Sequence, residues 1–151
     1  MDDDGPGSRR LRRGRWSEQG RIYLVTTATA DRRPLFSDWE CGRLVARAIG
    51  QEPAAATLCF VVMPDHLHWL LQVHGPAPLS RVVGRVKSVS TRQLNRRLGT
   101  TGCLWQDGFH DRAVRWEDDV QALARYVIAN PLRAGLVATV REYPLWDAAW
   151  L

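Results

Sequence analysis

Along the 151 residues, short stretches of β-branched and apolar residues alternate with longer stretches of helical period. "RIYLVTTATA" (21–30), bounded by "DRRP", predicts a first strand. "SDWECGRLVARAIGQE" (37–52) carries Leu44, Val45, Ala48 and Ile49 on one face; it predicts a helix opened by Ser37 as N-cap and closed near Gly50. "ATLCFVVMP" and "HLHWLLQV" predict two strands joined around Pro64 and Asp65, and "GPAP" (75–78) ends that hairpin. A second helix is expected from Leu79 to Leu98, an irregular strand or loop at "CLWQDGFHDRAVR" (103–115), and a third helix at "WEDDVQALARYVIAN", stopped by Pro131. The order β-α-β-β-α-β-α, its last helix aside, is the ferredoxin-like split arrangement. The fold class is α+β, an antiparallel sheet with packed helices.

Composition bounds this picture. With 45% hydrophobic and 25% charged residues, the chain suits one globular domain, expected over 16–151 behind a disordered basic arm at 1–15. Cys41, Cys59 and Cys103 are far apart, which argues against a disulfide framework or a cysteine zinc site. No apolar run reaches the roughly 18 residues of a membrane span, and "MDDDGPGSRRLRRGRW" contains no apolar core of a signal peptide. A cytoplasmic, nucleoid-associated protein is expected.

The net charge is +5, and of 21 basic residues only Lys87 is a lysine. Arginine forks bind phosphate bidentately, although a GC-rich genome enriches arginine everywhere. Distribution is more telling: at 100° per residue, Arg81, Arg85, Arg92 and Arg96 fall in one narrow sector of the second helix. The row reads either as a solvated face or as a phosphate track. Arg12 and Arg13 in the arm, with Trp16 and Trp105 as stacking surfaces, favour single-stranded or hairpin DNA.

The chemistry concentrates in two places. On a strand, His66 and His68 share one face while Leu67, Trp69 and Leu71 take the other. Two adjacent imidazoles are preset to grip one cation, or are incidental to a half-exposed strand; two ligands alone do not make a metal site. On the third helix, Val120, Leu123, Ala124 and Val127 form a core stripe, with Tyr126 and Asn130 one turn apart on its flank. An amide oxygen can be a third ligand and a phenol can attack phosphorus, yet taken alone these residues read as packing and a helix stop.

Both halves resemble one family. "VVMPDHLHWLLQV" is similar to the His-hydrophobic-His strand of single-tyrosine HUH transposases, the IS200-like transposases. "LWQDGFHDRAVR" followed by "DDVQALARYVIANPLRAGLV" resembles their W-Q…F-x-D segment leading into Y-x-x-x-N-P, most closely in the REP-associated tyrosine transposases of bacteria. The resemblance runs from about Tyr23 to Trp146. It implies the HUH endonuclease fold, with His66, His68 and Asn130 as ligands of Mg²⁺ or Mn²⁺. It further implies Tyr126 as the nucleophile that forms a 5′-phosphotyrosine link to single-stranded DNA during nicking and rejoining. The REP-associated members suggest a monomer, although a dimer exchanging tyrosine helices also occurs in the family. Two positions depart: Asp65 stands where asparagine or glutamate is common, reading as a turn residue or a tuner of the metal, and Leu132 replaces a valine. Neither removes a catalytic atom.

A phenol ordinarily titrates near 10, so such a nucleophile needs a proton acceptor or the field of a metal. Asp119, seven residues before the tyrosine, and His110 are candidates. A hairpin-binding module without catalysis is the alternative. A histidine-triad hydrolase is disfavoured because Leu70 stands where its third histidine would be. A dinucleotide-dependent oxidoreductase lacks its glycine-rich loop.

Overall fold

The computed structural model describes residues 21–115 and 117–149. The basic arm, with Arg12, Arg13 and Trp16, lies outside the described residues. The elements are β1 (Arg21–Ala28), α1 (Trp39–Gly50), β2 (Ala55–Met63), β3 (His66–Val73), α2 (Leu79–Leu98), β4 (His110–Val114), α3 (Glu117–Ile128), a single turn α4 (Asn130–Arg133) and β5 (Trp146–Ala148). The five strands form one antiparallel sheet in the order β4-β1-β3-β2-β5. Its first four strands follow the expected α+β, ferredoxin-like arrangement.

The central strand β3 shows why the layers form. Leu67, Trp69, Leu71 and Val73 alternate onto one face and are at most 1% exposed. Burying a side chain of this kind stabilises by about 1.5–3 kcal/mol. The indole of Trp69 keeps its polar handle satisfied by donating to Thr57 Oγ1 at 2.9 Å. Buried Val45, Ala48 and Ile49 of α1 and Val82, Val83, Val86 and Leu94 of α2 complete the same core. Helix α3 lies against β2 and β5, and its Val120, Ala124 and Val127 are buried in the core.

Three boundaries differ from expectation, each for a local reason. Helix α1 is capped by Asp38, not Ser37: the Asp38 carboxylate accepts from the Glu40 backbone N–H at 3.0 Å and also receives Arg97 of α2 at 3.1 Å. Ser37 belongs instead to a 3₁₀ turn over Leu35–Ser37. Pro131 does not stop the helical path, because it falls in the first turn of α4, where a missing N–H costs nothing. The short β5 was not anticipated from its three residues. It forms because the outer edge of β2 is open to pairing, and Tyr143 Oη, donating to Val62 O at 2.5 Å, brings the tail there.

Candidate active site

Met63 pairs with His66, so β2 and β3 are joined by the two-residue turn Pro64-Asp65, and His66 is the first residue of the strand. The turn is anchored from outside: Phe36 N–H donates to Pro64 O, and Thr29 N–H to Asp65 O, both at 2.9 Å. Its position sets the parity of β3. His66 and His68 therefore lie opposite Ala28 and Thr26 of β1, on the face away from Leu67 and Trp69.

Four side chains form a continuous chain of hydrogen bonds on this face. Asp65 Oδ1 lies 2.7 Å from His66 Nδ1, His66 Nε2 lies 3.0 Å from His68 Nε2, and His68 Nδ1 lies 3.1 Å from Thr26 Oγ1. An ionised carboxylate can only accept, so His66 carries its proton on Nδ1 and turns a lone pair on Nε2 toward its neighbour. His68 Nε2 then donates, and its Nδ1 accepts from Thr26. A hydroxyl both donates and accepts, so Thr26 also supports the other tautomer, in which both Nε2 lone pairs are free. Two bonds of about 2.1 Å meeting at a right angle separate their nitrogens by about 3.0 Å, the spacing seen here. With outer nitrogens fixed by a carboxylate and a hydroxyl, the pair fits one cation.

The electrostatics agree with a neutral imidazole at His68: burial pushes its pKa down to about 4, and Arg133, like His66 whenever that ring is protonated, acts in the same direction. Asp65, despite burial that acts in the opposite direction, is held below the usual carboxylate range by His66 and by Arg32, whose Nε lies 3.0 Å from Oδ2. Asp65 is thus both a turn residue and the orienting partner of His66.

Tyr126 is 58% exposed on α3, with the Arg133 guanidinium 3.7 Å from its ring centroid. The Arg133 charge also acts, after burial and His66, against protonation of His68. Asn130 begins α4 rather than extending the flank of α3, and its Nδ2 donates to Val127 O at 3.0 Å, which turns the amide nitrogen inward. Among the described residues no three His, Cys, Asp or Glu side chains are grouped to hold a metal; the bond from Asn130 Nδ2 leaves its amide oxygen as the atom with which it could ligate. Of the two proton acceptors considered, His110 pairs with Thr26, which pairs with His68, so all three lie in one row on one face. Asp119 is exposed and lies seven residues, about 10 Å of helix, before Tyr126.

The arginine row divides. Arg85 does not face outward as a free member of the row: its guanidinium grips buried Glu52 with two bonds of 2.6 and 3.0 Å, tying α2 to the α1–β2 connection. Arg81, Arg92 and Arg96 are exposed, and the first two flank a groove floored by Gly84 and Ser88. Trp105 alternates onto the Leu67 face and donates from Nε1 to Ser90 of α2 at 3.1 Å, so α2 covers that face. The row is therefore on the opposite side of the sheet from the histidines. Thr26 and Arg133 were not singled out from sequence. The role of Thr26 depends on strand register, which leaves no local mark; Arg133, seven residues after Tyr126, lies over it because helical hydrogen bonds run on through Ala129.

Three comparisons bear on this geometry. The model of the family "Transposase IS200 like" matches residues 19–130. A protein described as a REP-associated tyrosine transposase in Haemophilus influenzae is 26% identical over 98 residues, a stretch covering 58% of this chain and 56% of that one, so the match spans little more than half of the relative. Among solved structures, a REP-associated tyrosine transposase bound to a REP hairpin superposes with a TM-score of 0.68 at 21% identity, covering 97% of this chain and 82% of the other. A transposase structure from Deinococcus radiodurans gives a TM-score of 0.54 at 20% identity, covering 76% and 93%. At these identities the two structures bear on the fold alone, and among the described residues no helix is long and apolar enough to cross a membrane. With the family model matched across both the histidine strand and the tyrosine helix, the chain belongs to the IS200-like transposase family.

Proposed function

We propose that this protein nicks and rejoins single-stranded DNA beside a hairpin by transesterification through Tyr126. The observation that carries the reading is the convergence of the two Nε2 atoms at 3.0 Å, each ring held from behind by a carboxylate or a hydroxyl. The hairpin bound to one solved relative supports hairpin DNA as the partner.

His66, His68 and the amide oxygen of Asn130 would hold a divalent cation, Mg²⁺ or Mn²⁺, which when bound supplies positive charge to a scissile phosphate. Tyr126 Oη attacks phosphorus, forming the tyrosine–phosphate bond as the bond to the 3′-oxygen breaks. The phenol gives up one proton and the departing 3′-oxygen gains one. His110, on the same face, is the acceptor this reading favours. The link conserves the phosphodiester, so a free 3′-hydroxyl reverses the step and rejoins DNA without a nucleotide cofactor. Arg133 over the ring orients the exposed phenol and carries charge toward the phosphate.

Wild type and Tyr126→Phe are incubated with Mn²⁺ and labelled oligonucleotides rich in hairpins, and SDS-resistant protein–DNA adducts are measured. Adducts requiring both Mn²⁺ and Tyr126 are expected. Tight hairpin binding with no adduct from any strand would replace this reading with a non-catalytic hairpin-binding module.

A further inference from the structure

Gln106 is held by its backbone on both sides while its side chain is exposed. Its N–H donates to Ala28 O at 2.9 Å, and its carbonyl accepts from Lys87 Nζ at 3.0 Å. The chain's one lysine donates also to Gly108 O, and Gly108 turns the loop with φ of 74°, a conformation that favours glycine. Buried Trp105 pairs with Thr29 and bonds Ser90. Together these bonds fix the backbone at Gln106, and with it the direction its side chain leaves the edge.

Parity gives that direction. Trp105 takes the Leu67 face, so Gln106 takes the opposite one, beside Ala28 and in line with its partner His66. Two strand spacings, about 10 Å, separate the Gln106 and His66 backbones, with only the methyl of Ala28 between. A carboxamide offers one acceptor and two donors, the pattern that pairs bidentately with the N6 and N7 edge of adenine.

We propose that Gln106 is a specificity-determining residue that reads an adenine in the single-stranded segment next to the hairpin, at a nucleotide adjoining the phosphate held at the histidine face. This rests on the proposed function in taking the histidine face as the DNA face.

The test uses the full chain carrying Tyr126→Phe, Mn²⁺, and oligonucleotides with one fixed hairpin stem and a randomised single-stranded extension at either end. Bound strands are sequenced, and affinities are measured for Gln106→Ala and Gln106→Glu. Adenine enrichment at one extension position is expected. Gln106→Ala should lower affinity for that adenine roughly 10-fold or more and leave the other three bases unchanged there. Gln106→Glu should move the preference to cytosine, whose N4 amine donates to a carboxylate. An unselective wild type, a preference that survives Gln106→Ala, or an equal loss for all four bases would each overturn the inference. The chain with Tyr126 intact is assayed for adducts in parallel. Adducts with a base preference indifferent to Gln106 remove only this inference, whereas Gln106-dependent preference without adducts removes only the nicking chemistry.

Discussion

The guanidinium of Arg133 lies 3.7 Å from the centroid of the Tyr126 ring, and its charge helps hold His68 neutral. One side chain thus touches the tyrosine ring and acts by charge alone on the histidine strand. Arg133→Ala is expected to slow adduct formation by roughly 2- to 5-fold, the equivalent of an exposed cation–π contact of about 0.5–1 kcal/mol. It should also raise the pKa of His68, since a repelling positive charge is gone. Arg133→Lys keeps that charge and should leave the His68 titration near wild type. Adduct kinetics together with NMR titration of the imidazoles check both; an Arg133→Ala protein unchanged in rate and titration would sever the coupling.

Asp65 orients His66 through its Nδ1 at 2.7 Å. Asn can accept there through its amide oxygen but carries no charge, so Asp65→Asn should weaken Mn²⁺ binding by about 10- to 100-fold, the usual effect of removing an outer partner of a ligating histidine. Calorimetric titration with Mn²⁺ measures this. Chelation, in contrast, should leave the melting temperature nearly unchanged, because Thr26, His68, His66 and Asp65 satisfy one another without an ion. A large drop in melting temperature with EDTA would show that the cation holds the fold.

Acid should act through His68. Its pKa is about 4 in the folded protein against an ordinary 6.5, with burial the leading cause. As pH falls below 6.5 the unfolded chain takes up a proton that the folded chain refuses until about 4, so stability is full above 6.5 and declines across that interval. Denaturant melts of the metal-free protein at several pH values should show this decline, and His68→Asn should flatten it. An identical slope in the variant would place the effect elsewhere.

The arginines of α2 should separate into two classes. Arg92 and Arg96 lie across the sheet from the histidines, where only a hairpin stem extending past the sheet edge meets them; Arg92→Ala and Arg96→Ala are then expected to leave the melting temperature alone, weaken hairpin binding for all sequences alike, and each reduce the slope of log affinity against log salt by about 1. Arg85→Ala should do the reverse, because it strands the buried Glu52 carboxylate and removes the tie between α2 and the α1–β2 connection. Its melting temperature should fall several times further than that of Arg92→Ala. Glu52 is held below the usual carboxylate range mainly by its bond to Arg85, so this tie contributes above pH 4.5 and weakens as acid protonates it. Thermal melts and salt titrations of binding distinguish the classes; equal melting temperatures for Arg85→Ala and Arg92→Ala would remove the distinction.

Much of the molecule is local in origin and was legible along the chain. A period of two placed His66 and His68 on one side of β3 and Leu67, Trp69 and Leu71 on the other, and a period near 3.6 placed Val120, Ala124 and Val127 in the core. The paired motifs around His68 and Tyr126 carry the signature of the family along the chain itself. What folding alone decided is non-local. That Thr26 backs His68 follows from the β1–β3 register, and that Arg85 belongs to Glu52 follows from how α2 lies against the α1–β2 connection. That Gln106 bonds to Ala28, the strand partner of His66, follows from a bridge between Thr29 and Trp105, 76 positions apart. Periodicity reports which way a side chain points on its own element; which partner it meets is set by register and by the packing of elements remote in sequence, and those are properties of the assembled sheet.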